Sequence, residues 1–199
     1  MKLLSIAILR FNSDIPEPVM LTQATELSSF GFFQRSTVRE MITFFNKTIA
    51  KRTPPGQRQS VQNEEYYVHV YMRTDGLCGS ITCDSEYPPR VAFTLLTKIL
   101  EDYTQFNPSW RGETRNEANT WPQLEQAVVR YQDPAQADQI MKIQRNLDET
   151  RDILHNTIDN VLQRGEKLED LVERSGELSA QSKLFYREAK RANSCCSVV

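Results

Sequence analysis

Leu154-His155-Asn156-Thr157-Ile158-Asp159-Asn160-Val161-Leu162-Gln163-Arg164-Gly165-Glu166-Lys167-Leu168 is the stretch on which the reading of this 199-residue chain turns. Alternating steps of three and four back from Arg164 meet Val161, Thr157, Leu154, Thr150, Leu147, Ile143 and Ile140. Forward they meet Leu168, Leu171, Ser175, Leu178, Ser182, Phe185, Ala189 and Ala192. That spacing is a heptad seam, which places one side of a helix against partner helices. Fully helical, it spans roughly 80 Å at 1.5 Å per residue. A rod of that length cannot fold back as one piece on the rest of the chain.

The seam is weak by itself. Gly165 and Gly176 each cost an isolated helix about 1 kcal/mol, and Thr150, Thr157, Ser175 and Ser182 supply little apolar area. The segment is therefore expected to fold on partners. Arg164 sharpens that expectation: in a parallel homo-oligomer the arginines meet at one level, where buried like charges cost several kcal/mol per ion. A hetero-oligomer can offer neutral acceptors such as glutamine carbonyl oxygens instead. Arg164 thus disfavours self-pairing and marks register. The competing reading is a solvated helix from which the arginine snorkels.

Working outward, Pro and Gly divide the chain. All nine prolines lie at or before Pro134, and five of the seven glycines lie before residue 113. Every residue after Ala135 tolerates helix until Asn193. The divisions read as a domain over 1–131, a linker over 132–138, the heptad segment over 139–193 and a tail over 194–199. Charge is balanced: residues 137–199 carry ten Lys/Arg against eleven Asp/Glu, and the remainder fourteen against fifteen. No nucleic-acid footprint appears. No apolar run approaches the roughly 18 residues of a membrane-spanning helix.

Within 1–131, Lys2–Arg10 reads as a strand apolar on both faces, with Leu3, Ala7 and Leu9 on one and Leu4, Ile6 and Ile8 on the other. Such a strand needs cover on both sides of its sheet. Ser5 interrupts the apolar run and no cleavage site follows, which argues against a secretory leader. Residues 19–24 are a hairpin partner. Gly31–Arg52 reads as a helix with Ser36 as cap and Val38, Met41, Ile42, Phe45 and Ile49 as its stripe, leaving Phe44 roughly 110° off centre. Phe44 is either the margin of a wide buried face or a docking contact.

Gln57–Asn63 suits a short polar edge strand. Tyr66–Arg73 alternates, and Thr74-Asp75-Gly76 turns it into Leu77–Cys83. Helices over Val91–Phe106 and Trp121–Tyr131 follow. The order predicts an α+β domain with about five antiparallel strands and helices on both faces.

Little chemistry is visible. The glycines never approach phosphate-loop spacing. His69 lies between tyrosines and His155 at an outward heptad position, so no nucleophile–base pair can be assembled. Cys78 and Cys83, five apart, fall on opposite faces of one strand. Neither they nor Cys195-Cys196 have zinc or disulfide-framework spacing, which fits a reduced, cytosolic setting.

Residues 154–168, with Arg164 at the ionic layer, closely resemble the SNARE motif of the R-SNAREs. Gly31-Phe32-Phe33-Gln34-Arg35-Ser36, Gly56-Gln57-Arg58-Gln59-Ser60 and Tyr131-Gln132-Asp133-Pro134 are similar to the longin domain and linker of the prenylated longin R-SNARE. The resemblance covers essentially the whole chain. It implies a profilin-like longin fold followed by a helical SNARE coiled coil, three Q-SNARE helices as partners in a four-helix bundle, and a role in vesicle docking and fusion. It also implies a closed, autoinhibited form in which the SNARE segment and lipid pack on the longin domain, with Phe44 on the docking surface. The implied settings are the cytosol and the cytoplasmic faces of Golgi, ER, endosomal and vacuolar membranes, including ER-to-Golgi transport.

Cys196-Ser197-Val198-Val199 fits C-a-a-X, making Cys196 the prenylation site and a prenyltransferase a partner. Cys195 is a second lipid site, palmitoyl or prenyl. One chain binds membranes reversibly and two anchor stably. Lys183, Arg187, Lys190 and Arg191 add attraction to anionic lipid. The family commonly ends in methionine, so Val199 leaves farnesyl and geranylgeranyl both open. No cofactor is expected beyond the covalent lipid. Two other classes compete: a trafficking adaptor or tether dimerising through the heptads, and, more weakly, an acyltransferase using Cys195.

Overall fold

The computed structural model describes residues 2–133, 136 and 153–195, with side chains described as far as 192. Ile140, Ile143, Leu147, Thr150 and Cys196 lie outside the described residues. For Cys195, only the helical backbone lies within them.

The elements run β1 (Leu3–Arg10), β2 (Val19–Thr25), α1 (Arg35–Lys51), β3 (Arg58–Asn63), β4 (Tyr66–Met72), β5 (Leu77–Asp84), α2 (Pro89–Phe106) and α3 (Pro122–Arg130). After the linker come β6 (Ile153–Thr157), α4 (Ile158–Val161), α5 (Leu168–Arg174) and α6 (Ala180–Cys195). The fold is α+β, built on one six-stranded mixed sheet of order β2-β1-β5-β4-β3-β6.

The central strands β1 and β5 are buried almost throughout because their residues are apolar or small on both faces. One face packs Leu3, Ile6, Ile8 and Ile81 under Phe93, Leu96, Tyr103 and Trp121 of the α2–α3 layer. The other packs Ala7, Leu9, Val61, Val68 and Cys78 under α1 and the heptad segment. Helices therefore cover both faces, as the doubly apolar β1 requires. Cys78 and Cys83 do fall on opposite faces, and burial pushes both thiols up, leaving them inert.

Three local expectations differ from the structure. Register shifts between Leu3 and Ser5 where β1 meets β5, so Leu3 joins Ile6 and Ile8 while Leu4 joins Leu27, Val38 and Ile42 beneath α1. A bulge reverses side-chain alternation, and nothing in the apolar run announces it. Ser36 lies inside α1, whose N-cap is Gln34 without a capping side chain. A short 3₁₀ turn at Phe32–Gln34 feeds the helix instead.

The third difference is the largest. β3 is not an edge, because β6 pairs with it in parallel from Arg58↔Ile153 to Gln62↔Thr157. The heptad segment is thus not a continuous helix in this conformation. Without partner helices the seam has nothing to bury against, whereas β3 offers a row of unpaired backbone groups. Ile153 and Thr157, both β-branched, suit that pairing.

Candidate functional site

The candidate surface is the face where the heptad segment lies along α1 and β3. β6 docks by backbone pairing, and Asn156 Nδ2 donates to Gln59 Oε1 at 3.2 Å. The chain then turns and lays Ile158, Leu162, Leu168, Val172 and Leu178 into one buried cluster with Met41, Phe44, Ile49 and Val61. Val172 is fully buried. In α5, Leu168 and Val172 are four apart and so share the inward face. Each such side chain contributes about 1.5–3 kcal/mol of transfer from water. The entropy of ordering the segment offsets much of that.

The docked face coincides with the heptad seam only in part. Ile158, Leu162 and Val172 each stand one position beyond a seam residue, Thr157, Val161 and Leu171. Of the seam residues described, Leu168, Leu178 and Ser182 are buried, Val161, Leu171, Ser175 and Phe185 are half-buried, and Leu154, Thr157, Arg164, Ala189 and Ala192 are exposed. Arg164 therefore touches no partner layer in this conformation. The second apolar stripe was missed in the sequence, although Ile158, Leu162 and Val172 are apolar residues that the heptad leaves unexplained.

Phe44 is 9 % exposed, in edge-to-face contact with Phe45 and clustered with the docked residues. The structure brings together Phe44 and the C-terminal half of the motif.

Polar contacts frame the apolar cluster. Lys47 Nζ meets Glu177 Oε1 at 2.5 Å, and Arg52 Nη2 meets Glu166 Oε2 at 2.9 Å. The Gln163 amide and Arg52 hold the Glu166 carboxyl below its usual range against a smaller opposing effect of burial. At the start of α6, Ser179 Oγ accepts the Ser182 amide at 3.2 Å. Glu40 Oε2 accepts the Ser179 amide at 3.0 Å and the Ser182 hydroxyl at 2.7 Å. Burial opposes ionisation of Glu40, but these donors outweigh it and lower its pKa.

Beyond Ser182, α6 runs along an apolar cavity of about 320 Å³ lined by Leu4, Phe30, Val38, Ile42, Tyr66, Phe185 and Ala189, among others. Its lining is mostly apolar, with Asn63, Glu64, Glu65 and Lys190 among the polar exceptions. Tyr186 lies in the same wall, its hydroxyl pushed up to about 12 by burial, with Glu64 and Asp159 adding to the effect.

No cluster of metal-ligand side chains occurs among the described residues. His69 faces the opposite layer, bonded to Ser60 at 2.8 Å and packed on Phe93. No described helix is long and apolar enough to cross a membrane.

The chain is similar in sequence to known proteins along its whole length. A longin-domain family model, described as a regulated-SNARE-like domain, matches residues 27–124, and a synaptobrevin model matches residues 139–196. The chain is 54 % identical over its full length to the full-length synaptobrevin homolog ykt6 of Schizosaccharomyces pombe. It is 50 % identical to the VAMP-like protein YKT61 of Arabidopsis thaliana, again over all of both chains. It is also 50 % identical to the synaptobrevin homolog YKT6 of Saccharomyces cerevisiae, over 95 % of this chain and 96 % of that one.

Proposed function

The chain belongs to the longin-domain R-SNAREs of the Ykt6 type, non-enzymatic proteins of vesicle traffic, and from that premise we propose a two-state fusion protein. In one state, residues 139–193 form one helix of a four-helix bundle with three Q-SNARE helices, with Arg164 at the ionic layer and Ile140 to Ala192 as the seam. Assembly from Ile140 toward Ala192 draws the anchored membrane against the one that bears the partners. In the other state residues 153–193 are folded back on the domain over 1–131, with 132–138 as the linker, and cannot pair.

The observation that carries this reading is the docked face built by Ile158, Leu162, Leu168 and Val172 around Phe44. It engages buried seam residues such as Leu168 and holds Ile153–Thr157 as a strand. Strand and helix are mutually exclusive for those residues, so docking opposes bundle formation.

Anchoring follows from prenylation of Cys196 by a prenyltransferase and a second lipid on Cys195, with the cavity beside α6 sheltering the chain in the cytosolic state. Golgi, ER, endosomal and vacuolar membranes are the sites of action implied. The test is a reconstituted mixture with Q-SNARE helices. Phe44→Glu is expected to speed assembly, and Arg164→Glu to abolish it. Unchanged assembly by both would sink the proposal.

A further inference from the structure

Four glutamates of the SNARE segment, Glu166, Glu169, Glu173 and Glu177, follow one another at intervals of three and four residues. Each meets a different cation. Glu166 pairs with Arg52 at 2.9 Å, Glu177 with Lys47 at 2.5 Å and Glu173 with Arg187 at 3.5 Å, while Glu169 contacts Lys190 directly. Lys47 stands on α1 and Arg52 caps its C-terminus, both beside Phe44, and the other two stand on α6 within the last three turns before Cys195.

None of these pairs survives in an extended bundle helix. In a straight helix Glu173 and Arg187 lie about 21 Å apart, and Glu169 and Lys190 about 31 Å, at 1.5 Å per residue. Lys47 and Arg52 lose their partners once the segment leaves α1. On the bundle helix all four glutamates occupy positions outside the seam, where they face solvent. Leaving α1 therefore frees Lys47 and Arg52, and straightening into the bundle helix frees Arg187 and Lys190.

We propose that Lys47 with Arg52 on the domain, and Arg187 with Lys190 on the segment, form two latent binding patches for anionic phospholipid, which the glutamate stripe neutralises while the segment is folded back. This rests on the two-state reading above. Lys47 and Arg52 are also covered sterically, their side chains being 9 % and 15 % exposed. Opening uncovers them beside Met41 and Phe44, an apolar-plus-cationic face of the kind that lies in a bilayer interface. Arg187 and Lys190 immediately precede the candidate lipid-bearing cysteines, so anchoring brings them to the headgroups. That placement favours a membrane over an acidic protein as the occupant. The same motion that frees the SNARE motif then strengthens membrane attachment.

The experiment uses the full chain without its lipids and vesicles of phosphatidylcholine with or without phosphatidylserine. Leu162→Ser with Val172→Ser removes two docked apolar side chains without changing charge, and faster amide exchange across Arg58–Gln62 verifies opening. Each cation near an anionic surface contributes about fivefold in binding, so the opened chain is expected to bind phosphatidylserine vesicles about 25-fold tighter or more. Adding Lys47→Gln, Arg52→Gln, Arg187→Gln and Lys190→Gln should remove the gain.

An opened chain that binds no tighter overturns the proposal while leaving the two-state reading intact. Equal gain on pure phosphatidylcholine, or a gain that survives the four glutamines, assigns the effect to apolar exposure and also overturns it. Preference for poly-glutamate over the vesicles assigns the surface to an acidic protein instead. Exchange that does not rise removes the two-state premise, and the proposal with it.

Discussion

Glu40 of α1 holds Ser182 of α6 through a 2.7 Å hydrogen bond from the serine hydroxyl, and the same carboxylate oxygen accepts the Ser179 amide. A carboxylate on one helix thus completes the N-terminus of another, 142 residues away in sequence. Negative charge there also complements the α6 dipole.

Glu40→Ala should therefore release α6 without disturbing the sheet. Losing hydrogen bonds to a charged acceptor costs about 1.5–3 kcal/mol. Amide exchange is expected to accelerate in α6 while β1 and β5 stay protected. Because the folded-state pKa of Glu40 lies below its usual value, this contact contributes above that usual value and is lost as pH falls through the lowered one. Exchange in α6 that matches the unaltered protein would show that the contact holds nothing.

Gly165 opposes the bundle helix in two ways. In the folded-back form its φ is +91° with open space around its Cβ position, a conformation costing other residues about 1–2 kcal/mol. In a helix, alanine is better than glycine by about 1 kcal/mol. Gly165→Ala should thus shift the balance toward the helix by about 2 kcal/mol, roughly thirtyfold in population. Assembly with Q-SNARE helices should accelerate accordingly; an unchanged rate would place the turn outside the switch.

His69 sets the pH response of the domain itself. It is 1 % exposed, and burial, with a smaller contribution from the charge of His155, pushes its pKa down to about 4. An unfolded histidine titrates near 6.5, so between those values the unfolded chain binds more protons. Stability is full above the unfolded value and falls as pH drops toward the folded one. The loss by about pH 5 is about 2 kcal/mol. Urea midpoints should fall between neutral pH and pH 5 in the unaltered protein and much less in His69→Asn.

Gly76 tests the β4–β5 hairpin. Its φ is +87°, and a Cβ there would lie 2.8 Å from the Phe11 carbonyl oxygen. Gly76→Ala combines a left-handed conformation with a backbone clash, so a loss of about 2 kcal/mol or more is expected. Thermal unfolding should shift down by several degrees.

The longin domain was largely legible because its signals are local. Val68, Val70 and Met72 alternate with Tyr67, His69 and Tyr71, and the two sets do face opposite layers. The odd spacing of Cys78 and Cys83 separated them as expected. What escaped was non-local: the bulge that splits Leu3 from Leu4 depends on pairing with β5, and Gln57–Asn63 looked like an edge because its cover lies about 95 residues downstream.

Arg164 and the heptad, read from the sequence alone, predict the helix this chain would offer to partners, since a seam repeated over several heptads is a local periodicity. They do not determine the state without partners. There the tertiary structure decides: α1 and the β3 edge supply apolar area and backbone pairing that an isolated seam lacks, and they select Ile158, Leu162 and Val172 over their seam neighbours. Burial against a face is set by what lies opposite, and the periodicity of one segment carries no information about that.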